Sequence, residues 1–316
     1  MGVRLLIAVL LAGCATPSAH AADNPASGLG PGTHDLTWTV EGRDRTCRVH
    51  LPPGFPPDRP LPLVIALHGM GADGRMMERM TRFTELADRE GFAVAYPDGL
   101  NKMWRYWEVK IRLARMAERA VDDVGFIGRL IEDMAGAGVA DPARIYVTGI
   151  SNGAYLSNRL ACSLGDRVAA IAPVAGTILH RMIESLEPSR PVPVLYIHGT
   201  EDPVVGYDGS DRFSKREMSL SADDLVSWWI AKNRADPDGL QERVRDAVDD
   251  GTRAVKRMHA AGDGGAEVVF YRIEGGGHTW PGMPAVGERV LGRVCGDFSA
   301  SEAIWRFFSG QRLPAK

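Results

Sequence analysis

From residue 34 onward the chain alternates short apolar runs with longer stretches of helical period. Residues 34–40 and 45–51 carry alternating or β-branched positions on either side of Glu41-Gly42-Arg43-Asp44, which predicts an opening antiparallel hairpin. Leu61–Leu67 (LPLVIAL) is almost wholly apolar, as expected of a strand buried on both faces of a parallel sheet. Residues 75–90 have helical period and stop at Gly91, which predicts a single helix with a glycine cap. The series continues with strands over 92–96, 144–148, 168–175, 192–198, Arg253–His259 and 268–273, and with helices over 122–137, 152–164, Ala222–Asn233 and Ala300–Ser309. Strand and helix in regular turn predict an α/β domain, with a mainly parallel central sheet, helices on both faces and the opening hairpin attached. No linker or internal repeat divides it, so a single domain over residues 34–312 is expected. Residues 22–33, rich in Gly, Pro, Ser and Asn without an apolar period, read as a flexible tether outside the core.

With 316 residues, 45% of them hydrophobic and 24% charged, the chain is long enough to bury a large core. Its 37 Lys and Arg against 40 Asp and Glu give a formal net charge of -3. That balance supplies no field for sequence-independent binding of nucleic acid, and no nucleic-acid partner is expected.

The first residues, Met1-Gly2-Val3-Arg4, lead into an apolar run over 5–12 and then Gly13-Cys14. The run is far shorter than the roughly 18 residues of a membrane span, so residues 1–21 read as a signal peptide. Leu11-Ala12-Gly13-Cys14 matches a lipobox, which makes Cys14 a lipidated first residue and the only contact with a membrane. Ala19-His20-Ala21 matches an ordinary secretory cleavage site, which discards Cys14. The lipobox is preferred because it directly ends the apolar run. Both readings export the folded part, as a periplasmic or outer-membrane lipoprotein or as a secreted protein. Cys47, Cys162 and Cys295 then stand where disulfides persist. Cys162 lies in an apolar helical stretch and reads as a small buried hydrophobe, while Cys47 and Cys295 are left open as a bridge. None of the cysteines forms a C-x-x-C pair, so no structural metal is expected.

Chemistry in such sheets gathers beyond the carboxyl ends of the strands. After the strand at 144–148 comes Gly149-Ile150-Ser151-Asn152-Gly153, a Gly-x-Ser-x-Gly between strand and helix, where small neighbours let the backbone turn sharply and lift the serine hydroxyl. After 192–198 comes Gly199-Thr200-Glu201-Asp202-Pro203, and after 268–273 comes Glu274-Gly275-Gly276-Gly277-His278-Thr279-Trp280-Pro281-Gly282. The order Ser151, Asp202, His278 is that of α/β-hydrolases and of neither chymotrypsin nor subtilisin. In these roles His278 takes the Ser151 proton and returns it to the leaving alcohol, and Asp202 fixes the imidazole tautomer. Glu201 is the competing carboxylate, and His198 reads as a packing residue at a strand end. The oxyanion hole is expected from the backbone amides of Asn152 and of Met70 in His68-Gly69-Met70.

A competing pattern shares that last loop. Gly69-Met70-Gly71-Ala72-Asp73-Gly74 satisfies Gly-x-Gly-x-x-Gly between strand and helix, with Asp98 placed like the ribose acid of a dinucleotide fold. Export and the otherwise purposeless triad weigh against a nicotinamide cofactor, and no cofactor is expected.

Taken together, Leu67-His68-Gly69, Tyr96-Pro97-Asp98-Gly99, Asp122-Asp123-Val124-Gly125-Phe126, the Ser151 and Asp202 loops and Gly276-Gly277-His278-Thr279-Trp280-Pro281-Gly282 resemble the polyhydroxybutyrate depolymerase and feruloyl esterase group of α/β-hydrolases, related to carbohydrate esterase family one. The resemblance runs over residues 45–308. It implies an α/β-hydrolase fold, the same triad and oxyanion amides, cleavage of carboxylic esters and no cofactor. Relatives acting on insoluble polyester carry an extra substrate-binding domain, whereas this chain stops soon after its closing helix, so a small or soluble ester is expected. Residues 101–120 are more basic than the resemblance suggests, with Lys102, Arg105, Lys110, Arg112, Arg115 and Arg119 around Trp104 and Trp107. They read first as a solvated helix and second as a cationic substrate rim. Trp104 and Trp280 are the candidate substrate contacts; Trp228 and Trp229 are expected to pack.

The expectation is an exported serine esterase acting on feruloyl or acetyl-polysaccharide esters or short hydroxyalkanoate oligomers, with an acyltransferase on the same triad or a non-catalytic binding lipoprotein as alternatives. Its partner is a small-molecule or oligomeric ester; the oligomeric state is not legible.

Overall fold

The computed structural model describes residues 24–55, 59–106, 121–211, 218–284 and 287–314. The signal peptide, Cys14, Trp107, Lys110, Arg112, Arg115 and Arg119 lie outside the described residues. The first strands, β1 (Gly32–Val40) and β2 (Arg43–Leu51), pair antiparallel in register from Gly32 with Leu51 to Val40 with Arg43. Their turn is tighter than predicted: Glu41 and Gly42 alone make it, both at positive φ (50° and 70°), the backbone that matches strand twist in a two-residue hairpin.

Strand β3 (Leu61–Leu67) is buried throughout and alternates between two cores. Leu63, Ile65 and Leu67 face one with Trp38, Phe126, Leu156 and Trp229, while Val64 and Ala66 face the other with Met77, Phe83 and Phe308. A two-sided strand can afford no polar position, which is why the run reads as continuous apolar sequence. Next come α1 (Gly74–Thr81), α2 (Phe83–Glu90), β4 (Ala93–Pro97), α3 (Asp123–Gly136), β5 (Ala140–Ile150), α4 (Asn152–Ser163), β6 (Ala170–Val174) and β7 (Val194–Gly199). The chain closes with α5 (Ala222–Asn233), β8 (Leu240–Arg243), β9 (Arg253–His259), β10 (Val268–Glu274) and α6 (Ala300–Ser309).

The sheet order is β1-β2-β4-β3-β5-β6-β7-β10-β9-β8. Strands β4, β3, β5, β6, β7 and β10 run parallel, and antiparallel strands flank them on both sides. This open sheet, with helices on both faces, is the mainly parallel α/β arrangement the sequence predicts. Because β4 lies on one side of β3 and β5 on the other, the order reverses at β3. The loops leaving β3 and β5 therefore lead into helices on opposite faces of the sheet, Met77 of α1 in one core and Leu156 of α4 in the other.

Elsewhere the structure departs from the sequence reading or settles what it left open. The single helix over 75–90 is broken at Arg82, which adopts a left-handed backbone (φ 53°). Thr81 Oγ1 donates back to Met77 O and the Thr81 carbonyl accepts from Ser301 Oγ, so the acceptor of the next turn is already engaged. The break turns Phe83 inward against Phe92 and Trp280. Residues of the expected tether are anchored: Ala26 is fully buried in the core and Asn24 Nδ2 donates to Asp133 O at 2.8 Å. Strand β8 (LQER) is exposed at every position, so no apolar alternation betrays it. Finally, Cys47 and Cys295 do not pair: both are buried free thiols, packed in different cores. Cys162 is free and half-buried against the core.

Dithiothreitol is therefore expected to leave the melting temperature unchanged. Cys47, Cys162 and Cys295 should all titrate with a thiol reagent in denatured, unreduced protein, and a missing pair would reveal a bridge.

Candidate active site

Ser151 sits at the end of β5 and caps α4 with φ 57° and ψ −120°, a conformation L residues rarely adopt. Such strain persists only where the surroundings over-determine it. Here Ser151 N donates to Val174 O at 2.9 Å, tying the turn to the end of β6. On either side the backbones approach too closely for side chains. A Cβ on Gly149 would lie 2.7 Å from Gly153 C, and one on Gly153 would overlap Leu67 O. The small residues of the motif thus let the serine turn lie directly on β3.

Two further loops meet by the same device. The backbones after β7 and β10 touch where a Cβ on Gly199 would overlap Gly276 O. Glu201 N donates to Gly276 O and Gly275 N to Thr200 Oγ1, both at 2.9 Å, which stitches the loops together. Across this seam His278 Nδ1 donates to Asp202 Oδ2 at 2.7 Å. The other carboxylate oxygen, Oδ1, accepts from the amides of Val204 (2.8 Å) and Val205 (2.9 Å). Charge-assisted bonds of this kind hold an ionised carboxylate in place. With Nδ1 committed to Asp202, the second ring nitrogen of His278 is left to accept a proton. Glu201, the competing acid, is exposed and pairs with Arg293.

Ser151 and His278 line one cleft of about 180 Å³, walled by Met70, Met76, Met77, Met80 and Met283. A second cleft, about 280 Å³, meets it at Ser151 and Met70 and is bounded by Asn152, Tyr106 and Tyr155. The two tyrosine rings are stacked at 4.8 Å. Burial pushes the Tyr155 phenol above its usual range, so it remains a neutral hydrogen-bonding group to Ser219.

The loop carrying the Met70 amide abuts the serine, since a Cβ on Gly69 would stand 3.5 Å from Ser151 Cβ. It is braced from behind. His68 Nε2 accepts from Gly99 N at 2.9 Å, so Nδ1 carries the proton and donates to Gly69 O at 2.7 Å. Burial lowers the His68 pKa and keeps this neutral form. Trp104 changes role relative to the sequence expectation: it is fully buried, its indole N–H donates to His68 O at 2.9 Å, and its ring lies against His68. It props the loop and lines neither cleft at Ser151. The Asn152 side chain exchanges hydrogen bonds with the Trp104 backbone (2.6 and 3.1 Å), joining the prop to the serine turn. Behind Trp104, the buried Asp123 accepts from Arg105 N and from Arg45, an ion pair that sequence reasoning did not identify.

Trp280 lies away from the serine. It is buried against Phe83, donates to Ser301 Oγ at 3.1 Å and lines neither cleft at Ser151. His198 does more than pack. Its Nε2 donates to Val205 O (2.9 Å) and lies 3.5 Å from Asp202 Oδ2, while Nδ1 accepts from Tyr196. Burial holds its pKa below the usual histidine range, so a neutral ring supports the far side of Asp202. In the glycine pattern at 69–74, a Cβ on Gly74 would overlap Tyr96 O, and Asp98 accepts from Gly74 N at 2.7 Å and from Thr46.

Residues 46–210 match the family described as Esterase PHB depolymerase. NocK of Nocardia uniformis subsp. tsuyamanensis is 33% identical over 255 residues, which cover 77% of this chain and 72% of that protein. Feruloyl esterase B of Piromyces equi is 29% identical over 237 residues, 73% of this chain and 42% of that longer protein. Among solved structures, the acetyl xylan esterase of Aspergillus awamori superposes with a TM-score of 0.54 at 15% identity, covering 81% of this chain and 97% of the other. That likeness carries the α/β-hydrolase fold. The chain belongs to the Esterase PHB depolymerase family and is a carboxylic-ester hydrolase.

Gly199→Ala is expected to force the Asp202 and His278 loops apart. Ester hydrolysis should fall by on the order of 10²-fold in kcat, the usual result of misplacing a reacting group by about 1 Å. Urea unfolding should report a loss of about 1–3 kcal/mol from overpacking. Unchanged kcat would show that this seam does not set the site.

Proposed function

We propose that this member of the family is an exported serine esterase that works through an acyl-enzyme on Ser151. The observation that carries the reading is the 2.7 Å bond from His278 to the buried Asp202, beside a serine held at φ 57° in the same cleft as the imidazole. A serine hydroxyl is a poor nucleophile at its own pKa and requires a base. His278 Nε2 takes the Ser151 proton as Oγ attacks the ester carbonyl, and Asp202 stabilises the imidazolium that forms. The amides of Met70 and Asn152 receive the oxyanion, their positions fixed by the braces at His68 and Trp104. Collapse expels the alcohol, which leaves with the proton from His278. Water, activated by the same imidazole, then releases the acid and restores the serine.

The substrate class follows the family: feruloyl or acetyl esters of polysaccharides, or short hydroxyalkanoate oligomers. Two small clefts meeting at the serine suit an ester with substituents on both sides of the scissile bond. Export rests on the charged start, the short apolar run and Leu11-Ala12-Gly13-Cys14. The mass of the mature N-terminus tests it: a diacylglyceryl-modified Cys14 is expected, and an unprocessed Met1 would contradict export.

With p-nitrophenyl acetate the wild type should release p-nitrophenol in a burst of about one equivalent, the mark of an accumulating acyl-enzyme. Ser151→Ala should abolish the burst, and Asp202→Asn should lower kcat by about 10⁴-fold by favouring the wrong imidazole tautomer. Equal rates in wild type and Ser151→Ala would sink the nucleophile assignment. A panel of methyl ferulate, acetylated xylan and hydroxybutyrate oligomers identifies the ester, and failure on all three would exclude this substrate range.

A further inference from the structure

The reaction direction assigns the two clefts, given the acyl-enzyme reading above. The group that protonates the leaving oxygen must stand beside it. His278 lines the methionine cleft and not the tyrosine cleft, so the alcohol departs through the methionine cleft and the acyl group occupies the tyrosine side.

Beyond the methionine cleft the surface does not close. Met80 and Met283 line it from one side and, from the other, line a further groove of about 200 Å³. This groove is bordered by Arg82 and Glu85 at the start of α2 and by Arg89 on α2 facing Glu302 on α6. Arg82 Nε donates to Glu85 at 2.7 Å and Arg89 to Glu302 at 3.0 Å, and all four side chains remain more than half exposed.

Size and charge define what fits. Methionine cleft and groove are each smaller than the roughly 300–1,000 Å³ of a site that encloses a whole small molecule, so each suits one unit of a chain. The paired charges cancel, which removes any preference for an anion. A guanidinium has five donors and a carboxylate about four acceptor positions, so each pair keeps most of its capacity for a ligand. Such a lining satisfies neutral hydroxyl groups, which offer donor and acceptor together. An aliphatic polyester offers carbonyl oxygens to the guanidinium groups but no hydroxyl along its chain to donate to the carboxylates.

We propose that the groove between α2 and α6 is a distal subsite on the leaving-group side, which holds the second sugar unit of an oligosaccharide ester while the esterified unit lies against the methionines. Catalysis needs neither pair, so the groove selects for chain length and hydroxyl content and leaves the chemical step unchanged.

The test uses the full chain and compares p-nitrophenyl acetate, acetylated xylose, acetylated xylobiose and a hydroxybutyrate dimer. The wild type should prefer acetylated xylobiose over acetylated xylose by roughly tenfold in kcat/KM, through KM, the effect of one or two added charge-assisted hydrogen bonds. Arg89→Ala/Glu302→Ala removes both partners of one of the two pairs and should cut that preference severalfold, with p-nitrophenyl acetate, too short to reach the groove, hydrolysed as before. No length preference in the wild type, an undiminished preference in the variant, or a stronger preference for the hydroxybutyrate dimer would each overturn the subsite. The wild-type comparison decides the matter even if the double variant folds poorly. Failure of the underlying acyl-enzyme reading looks different, since p-nitrophenyl acetate hydrolysis would then be missing or would survive Ser151→Ala.

Discussion

The site depends on how closely three backbone segments approach one another without side chains between them. Gly149 and Gly153 allow the turn after β5 to rest on Leu67 and His68 at the end of β3, and that pressure holds Ser151 in its left-handed conformation. A residue with a Cβ at Gly153 would overlap the Leu67 carbonyl oxygen, so the serine position and the adjacent amide loop are set together. The strain is local, but its support is distributed. Asn152 bonds Trp104, Trp104 bonds His68, and His68 bonds the two loops at Gly69 and Gly99. Hydrogen bonds in such a buried chain are costly to leave unmade, which makes the arrangement stiff.

The same economy of volume joins the acid and the imidazole. Gly199 and Gly276 bring the ends of β7 and β10 into contact, and neighbouring strands in a parallel register then place Asp202 and His278 within one hydrogen bond. Asp202 makes no contact with bulk water through its side chain, yet every lone pair has a protein partner in reach: two amides, His278 and, at longer range, His198. Burial keeps His198 neutral, so it supports the carboxylate without competing with His278 for a role as cation.

Much of this was legible in the sequence because parallel strands must be apolar and their carboxyl ends must carry the ligand loops. That rule located the loops of Ser151, Asp202 and His278, and the alternation of strand and helix conveyed the sheet. What stayed hidden depends on contacts between distant elements. Trp104 lies in a loop beside a strand end and looks like a substrate contact, but its indole N–H finds a buried carbonyl; Trp280 is drawn inward by Phe83 and Ser301. The helix break at Arg82 follows from Ser301, more than two hundred residues away, occupying the Thr81 carbonyl. The support of Asp202 by His198 requires the turn at Val204–Val205 to bring a carbonyl back over the ring, and the exposed strand β8 has no apolar period to read.

These features make a single demand on chemistry: among all the serines, Ser151 alone should behave as an activated nucleophile. Reaction with a fluorophosphonate at neutral pH, followed by intact mass and peptide mapping, tests it most directly. One adduct per chain is expected, on the peptide carrying Ser151, formed at a rate that collapses in His278→Ala. An adduct on another residue, or labelling of Ser151 that proceeds equally fast without His278, would contradict it.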